Sequence, residues 1–166
     1  ETLLPPPIVR PGEFDGLTTG YRVLLEVLEE TLYTSLSRRQ LLATSREIED
    51  RAFRVGSGTL HVTFQSFSAF STQLDLYRKF GTETALDIHI HGLPDWQPPA
   101  VENLTYHPDE TGALAPFWCL AFDGGPDESQ ACLLLAREDT DGFLGFWSYD
   151  ERLVRDVQRT LESVDN

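Results

Sequence analysis

The sequence predicts an α/β fold: a mixed sheet of five to six strands, with a strand-helix-strand crossover and flanking N- and C-terminal helices. Two hydrophobic periods support this prediction. Apolar residues recur every three or four positions near both ends of the chain, as in amphipathic helices. Between them, apolar and polar residues alternate, as in half-buried strands. A helix-like segment also lies between two alternating segments, and a right-handed parallel crossover is the usual solution for that order.

The first twenty residues are expected to form a linker or an irregular tail. They contain the run Pro5 to Pro7, the pair Pro11 and Gly12, and two further glycines, which leaves no room for a helix. Residues 21–166 are expected to form a single domain, because 166 residues with 40% hydrophobic content suit one ordinary core.

Two helices are predicted next. The first covers residues 21 to about 35, and its apolar stripe is Leu24, Val27, Leu28 and Leu32. The second covers residues 38–55 and ends at Gly56, because glycine readily adopts the left-handed conformation that closes many helices. Its predicted inward residues are Leu41, Leu42, Ser45, Ile48 and Ala52.

The predicted crossover occupies the centre of the chain. Its first strand has Leu60, Val62 and Phe64 facing inward and His61, Thr63 and Gln65 facing outward. A helix over residues 71–80, ended by Gly81, leads to a second strand with Leu86, Ile88 and Ile90 inward. Further strands are predicted at about residues 104–107, 117–122, 131–137 and 143–147.

The last helix is predicted to begin at Ser148, whose hydroxyl would cap it while Glu151 reaches back in a capping box. Its buried stripe is expected to be Leu153, Val154, Val157, Leu161 and Val164. The two cysteines, Cys119 and Cys132, lie in apolar runs and are expected to be core thiols, since disulfides are rare in the cytosol; a cross-strand disulfide is the alternative.

The chain is strongly acidic. It has 27 acidic and 13 basic residues, a net charge of −14, and Lys79 is its one lysine. This balance favours a protein of a salt-rich, haloarchaeal cytoplasm, because concentrated salt screens the repulsion; an acidic mesophilic protein is the alternative. An acidic surface disfavours direct nucleic-acid binding, with a local basic patch as the alternative.

Neither a membrane-spanning segment nor a signal peptide is expected, because no run of about eighteen apolar residues and no leader pattern occurs. The predicted location is therefore the cytoplasm. The chain starts at Glu1 and contains no methionine, which suggests a fragment of a longer protein.

Four short segments carry a resemblance to a known family. They are the helical stretch from Ile48 to Phe53, the strand from Thr59 to Gln65, the loop Gly92-Leu-Pro-Asp-Trp96, and the stretch from Gly145 through Asp150 to Val154. Together they resemble the DICT domain, a sensory domain associated with diguanylate cyclases and two-component systems. The resemblance runs from about Leu36 to the C-terminus and is closest to the haloarchaeal members. It implies a role in sensing a signal and passing it to a signalling protein, with no established ligand or catalytic residue.

A ligand pocket lined by aromatic side chains is the first candidate site. The candidate ligand-binding residues are Gln65, Trp96, Phe67 and Tyr149, with Gln65 as the group that orients an effector. Trp96 lies between Pro94 and Pro98 and is expected at a pocket rim. Trp118 and Trp147 lie in apolar runs and are expected in the core.

A metal site is the second candidate. Its ligands would be His61, Asp87, His89 and His91, since nitrogen and oxygen donors that alternate on neighbouring strands can converge. The alternative is a solvated strand face that holds no metal. His107 is expected to be a turn residue beside Pro108.

A cluster of arginines in the second helix is the third candidate. Arg38, Arg39, Arg46, Arg51 and Arg54 could bind a phosphate-bearing ligand or dock a partner. The alternative is ordinary helix-surface pairing, because Glu47 and Arg51 stand four residues apart, as do Asp50 and Arg54.

The sequence contains no nucleophile elbow, phosphate loop or Cys-x-x-Cys motif, so an enzyme is not expected. The predicted function is noncatalytic signal transduction: the domain would bind an unidentified ligand or partner and relay the signal, through its terminal helices, to a signalling or transcription output. The alternative is a protein-interaction or transcription-associated module without a small-molecule ligand. No cofactor and no oligomeric state are predicted.

Overall fold

The computed structural model describes Leu24 and residues 34–140 and 142–163. The strands are β1 (Thr34–Leu36), β2 (Ser57–Ser66), β3 (Ala85–Leu93), β4 (Leu104–Pro108), β5 (Phe117–Phe122), β6 (Cys132–Asp139) and β7 (Gly142–Ser148). The helices are α1 (Arg38–Val55), α2 (Leu74–Glu83) and α3 (Glu151–Ser163). A helical turn (Phe67–Phe70) and a 3₁₀ turn (Ser71–Gln73) lead into α2, and a second 3₁₀ turn (Glu128–Gln130) precedes β6.

These strands form one sheet in the order β1-β7-β6-β5-β2-β3-β4. The strands β2, β3 and β4 are parallel, whereas β5, β6, β7 and β1 are joined by antiparallel pairings. The central strand β2 connects the two parts, because it pairs in parallel with β3 and antiparallel with β5. The predicted mixed α/β sheet with a strand-helix-strand crossover is confirmed.

Helices cover both faces of this sheet. On one face, α1, α2 and the turn before α2 bury a core that includes Leu41, Phe70 and Tyr77. On the other face, α3 and the helical residue Leu24 pack against β5, β6 and β7. A sheet covered on both faces buries polar as well as apolar positions of its central strands, which matters for the histidines described below.

The sheet has one strand more than the predicted five to six. The extra strand is β1, where the sequence had predicted the end of the first helix near Ser35. That part of the prediction is wrong, since Thr34 pairs with Gly145 and Leu36 with Phe143. The rest of the predicted helix over residues 21–35 lies outside the described residues, apart from Leu24, which is helical.

The bounds of α1 are those predicted. Ser37 and Gln40 form a capping box at its start, and Gly56 closes it in the left-handed conformation, with φ of 77°. One inward residue was wrong: Leu42 is 44% exposed, because the buried side of the helix follows Leu41, Ser45, Ile48, Glu49 and Ala52.

The helix α2 does not end at Gly81 as predicted but continues to Glu83. Gly81 is required for another reason: a Cβ atom there would lie 2.2 Å from the carbonyl oxygen of Glu102. A close approach of the loop between β3 and β4 therefore selects this glycine.

The cap of α3 also differs from the prediction. Asp150, and not Ser148, caps the helix, because its carboxylate accepts the backbone N–H of Arg152 at 2.9 Å. Ser148 instead accepts the backbone N–H of Asp150. Val164 lies outside the described residues.

Among the remaining core predictions, Cys119 and Cys132 are confirmed as buried free thiols. Trp147, expected in the core, is 51% exposed at the end of β7. In the part of the chain that the structure describes, no helix is long and apolar enough to cross a membrane.

Candidate functional site

A cavity of about 420 Å³ lies between α1 and the sheet. Residues of α1 form one wall, and the turn before α2 together with Tyr77 forms another. The floor is apolar and comes from Val62 and Phe64 of β2 and from Leu120 of β5. A concave site of this size with an apolar floor is typical of small-molecule pockets.

The spacing of α1 explains which of its side chains reach the cavity. Residues 38, 42, 45, 46 and 49 recur every three or four positions, so they share one side of the helix. Leu42, which leaves the predicted core, therefore contributes apolar surface to this wall.

A buried carboxylate joins two walls of the pocket. Glu49 of α1 accepts a hydrogen bond from Arg46 Nη1 at 3.1 Å and another from the Tyr77 hydroxyl of α2 at 2.5 Å. Burial raises the pKa of Glu49, while the Tyr77 hydrogen bond and the charge of Arg46 oppose that rise. Burial, followed by the charge of Glu49, raises the pKa of Tyr77 well above its ordinary value. Both carboxylate oxygens of Glu49 are thus already occupied within the protein.

Trp118 forms the aromatic side of the pocket. Its indole Nε1 donates to Ser45 Oγ at 2.9 Å, and that hydroxyl donates to the carbonyl of Leu41. The guanidinium carbon of Arg38 lies 5.6 Å from the Trp118 ring centroid, and the ring of Phe143 meets the indole edge to face. Trp118, predicted to be core, is half-buried and faces the cavity.

The structure does not bring the four predicted ligand-binding residues together. Gln65 lines the cavity. Phe67 is buried and packs against Tyr106, whereas Trp96 is 37% exposed after β3 and Tyr149 is 58% exposed after β7. Each of the three others lies outside the lining of this cavity, so a role for them in binding stays a prediction.

The arginines of α1 separate into different environments. Arg38 and Arg46 line the cavity, whereas Arg39 and Arg54 lie outside its lining, and all four residues are exposed to solvent. Arg51 lies over the Tyr149 ring, 5.0 Å from its centroid, and 3.9 Å from the carboxylate of its helix neighbour. The pair with Glu47 thus follows the predicted surface pairing, and docking of a partner by the arginines stays a prediction.

All four histidines of the chain meet on the α3 face of the sheet. His61 of β2 lies opposite His89 of β3, and His91 of β3 lies opposite His107 of β4. Two ring contacts join them in pairs: His61 Nδ1 lies 2.9 Å from His91 Nε2, and His89 Nδ1 lies 2.7 Å from His107 Nε2. The two pairs stack, with centroid separations of 4.5 and 4.6 Å.

A carboxylate lies at one end of each pair. Asp87 Oδ2 lies 3.0 Å from His89 Nε2. On the other pair, Glu162 of α3 lies 3.4 Å from His61 Nε2, which forms no hydrogen bond with a described residue. The side chain of Asp87 is 61% exposed and that of Glu162 is 55% exposed, so each pair reaches the surface at its carboxylate.

Burial keeps two of the imidazoles neutral. His61 and His91 are 0% and 1% exposed. Burial, reinforced by the neighbouring histidines, lowers the pKa of His61 to about 3 and that of His91 to about 2. The predicted outward position of His61 and Thr63 is therefore wrong, because β2 lies in the centre of a sheet covered on both faces.

His107 is also placed differently from the prediction. It is not a turn residue but part of β4, which adds it to the cluster. The signal was present in the sequence, since Leu104 and Tyr106 alternate with Thr105 and His107.

The histidine cluster has no arrangement around a common metal position. Among the described residues, no group of three or more His, Cys, Asp or Glu side chains is placed to hold a metal ion. The ring nitrogens instead face one another in pairs. Metal binding by His61, Asp87, His89 and His91 thus stays a prediction.

Comparison with known proteins gives one family match. The sequence model of DICT, described as the sensory domain in diguanylate cyclases and two-component systems, matches residues 21–139. No curated protein matches the chain.

One solved structure is similar over part of its length. It is the crystal structure of polyphosphate kinase from Porphyromonas gingivalis, with a TM-score of 0.47 and 15% sequence identity. The similarity covers 75% of this chain and 22% of that chain. A likeness at this level carries no argument about function.

Proposed function

The chain belongs to the DICT family of sensory domains, found in diguanylate cyclases and two-component systems, and from this premise we propose that it senses a small-molecule effector without catalysing a reaction. The effector would bind in the cavity between α1 and the sheet. The output would be a signalling or regulatory protein, in the cytoplasm of a salt-loving archaeon, as the acidic composition favours.

The pocket itself is the observation that carries this proposal. Its volume of about 420 Å³ and its apolar floor suit a small organic molecule, and the polar side chains of its walls can orient that molecule. The walls come from separate elements, α1 and α2, which are linked by the hydrogen bond from Tyr77 to Glu49. An effector that prefers one spacing of these walls would shift the population of conformations and so alter the outer surface of α1.

The test is thermal unfolding at fixed high KCl with a panel of nucleotides, cyclic dinucleotides, flavins, haem and divalent metals. A ligand at a hundred times its Kd stabilises a protein by about 2.7 kcal/mol, which raises Tm by several degrees. We expect such a shift with one organic compound in the wild type.

Matched variants locate the binding site. Ala69 is exposed and lines the cavity, so Ala69→Trp fills the pocket, whereas Ala43→Trp adds the same side chain on an exposed part of α1 outside it. The shift should persist in Ala43→Trp and disappear in Ala69→Trp. A shift that survives Ala69→Trp would place the ligand elsewhere. If a metal produces the shift and His91→Ala removes it, the histidine cluster is the site.

The alternative function is a docking module without a small-molecule ligand. The exposed side chains of Arg39 and Arg54 on α1 favour it, because they are free to meet an acidic partner. No shift with any compound, together with a stable partner complex lost in Arg39→Gln/Arg54→Gln, would support this function over the sensor.

A further inference from the structure

We infer that the pocket between α1 and the sheet binds a planar aromatic compound that carries a carboxylate or phosphate group. This inference rests on the proposed sensory function and names the chemical class of its effector. It follows from which polar groups of the pocket are already occupied and which are not.

The pocket has an excess of hydrogen-bond donors. A guanidinium offers five N–H donors. Arg46 uses one on Glu49 and one on Gln73, and the side chain of Arg38 forms no hydrogen bond or ion pair with any described residue. Most N–H groups of these two arginines are therefore available to a ligand.

Apart from Glu138 and Gln65, the side-chain acceptors of the pocket are largely consumed. Both oxygens of Glu49 accept hydrogen bonds within the protein, and the side-chain oxygen of Gln73 accepts one from Arg46. Ser45 Oγ accepts the indole N–H of Trp118. A ligand rich in donors would find few partners here, whereas a ligand with an anionic acceptor group would satisfy the arginines.

The aromatic part of the ligand follows from Trp118. Its ring borders the cavity under the Arg38 guanidinium, next to an apolar floor that includes Val62 and Phe64. A flat ring can lie against this surface while its anionic group reaches Arg38 and Arg46. Gln65 is left at the pocket lining as a neutral group that can accept or donate.

The charge of the whole chain sharpens this preference. With a net charge of −14, the surface repels anions in general, so an anion needs nearby cations such as Arg38 and Arg46. Glu138 also lines the cavity and is exposed to solvent, which limits how far the negative group can lie from the two arginines.

The experiment uses two pairs of probes that share a ring system and differ in charge: indole-3-acetate with indole-3-acetamide, and 1-naphthoate with 1-naphthamide. Binding to the wild-type chain is measured by calorimetry at one fixed salt concentration. Hydrogen bonds to a charged group contribute about 1.5–3 kcal/mol, so we expect each carboxylate to bind about tenfold to a hundredfold more tightly than its amide.

Variants then assign the charge preference to the pocket. Arg38→Gln should weaken the carboxylates by about tenfold or more and leave the amides unchanged, and the neighbouring Arg39→Gln is the matched control that should change neither. The Arg38 guanidinium contacts the Trp118 ring but forms no hydrogen bond or ion pair with a described residue, so its loss leaves no polar group unsatisfied and this variant is expected to fold.

Each outcome bears on a different claim. Equal binding of acids and amides in the wild type, removed by Ala69→Trp, would overturn the anionic class and keep the sensory pocket. A preference for acids that survives Arg38→Gln and Arg46→Gln would overturn the assignment of these arginines. Binding of none of the four probes would overturn the inferred class, while the broader panel decides separately whether the pocket binds an effector.

Discussion

At the level of single residues, the histidine cluster shows how polar side chains of β2 and β3 can be buried: their ring nitrogens pair with one another. Each contact between two ring nitrogens needs one nitrogen that carries a proton and one that does not. Two fully protonated rings would set donor against donor, so the pairing of His61 with His91 suits neutral imidazoles. Their lowered pKa values agree with this state.

This arrangement predicts a pH-dependent stability. The pKa values of His61 and His91 fall from 6.5 to about 3 and about 2 on folding. Below pH 6.5 the unfolded chain therefore takes up protons that the folded chain does not. The free energy of unfolding should keep its full value above pH 6.5. It should decrease as the pH drops toward 3, by about 1.4 kcal/mol per pH unit for each histidine. Urea unfolding at several pH values measures this slope.

The slope between pH 6.5 and 5.5 separates the histidines from most carboxylates, whose ordinary pKa values are near 4. The other titratable groups around the buried pair are His89, His107 and Glu162. His61→Leu removes one of the two histidines, so the slope should decrease by the contribution of about one proton, which is about 1.4 kcal/mol per pH unit. This decrease is expected whatever the effect of the substitution on stability at neutral pH. An unchanged slope in this variant would show that His61 already titrates normally in the folded chain.

Among whole elements, α1 and α2 are joined by one buried hydrogen bond in addition to the ring contact of Phe53 with Phe80. Removing the Tyr77 hydroxyl leaves a buried Glu49 oxygen without its donor. Hydrogen bonds to charged groups contribute about 1.5–3 kcal/mol, so Tyr77→Phe should lower the free energy of unfolding by about 2 kcal/mol.

Tyr106→Phe is the matched control. Its hydroxyl donates to the carbonyl of Pro99 near the surface, where water can replace it. That variant should lose less than about 1 kcal/mol. Equal losses in the two variants would mean that the buried Glu49 contact contributes no more to stability than a hydrogen bond near the surface.

The elements with strong patterns were predictable from the sequence. The bounds of α1 followed from its apolar spacing and Gly56, and the crossover followed from two alternating strands. The strand β1 was not predictable, because three residues show no period and pair only with a distant partner. Gly81 resembles a helix stop in the sequence, and only the approach of Glu102 in space explains it.

The candidate site was predictable only in part. Gln65 was identified as a pocket residue, and Arg38 and Arg46 as members of a basic cluster. Their shared cavity could not be foreseen, since it depends on how α1 crosses the sheet. The position of Trp118 was missed because a half-buried tryptophan in an apolar strand has the same sequence pattern as a core tryptophan.

For the molecule as a whole, the charge of −14 predicts salt-dependent stability. Like charges repel in the compact state, and the Debye length falls from about 10 Å at 0.1 M salt to about 3 Å at 1 M. We expect Tm to rise by several degrees between 0.1 and 1 M KCl, as measured by calorimetry.

A charge-reduced variant separates this effect from other actions of salt. Glu83, Glu102 and Glu110 are exposed, so changing all three to glutamine removes three negative charges at solvent-facing positions. The variant should show a smaller rise in Tm with KCl. If both proteins respond equally to salt, charge repulsion is not the cause.

The pairing of β1 with β7 also sets an order of events during synthesis. Thr34 pairs with Gly145, so β1 leaves the ribosome long before its partner exists. Translation proceeds at about 5–20 residues per second, which makes this delay on the order of ten seconds. The crossover of β2 and β3 can form in that time, but the sheet stays open at its β7 side. We therefore expect nascent chains halted before β7 to be more readily cut by protease near β1 than the finished protein.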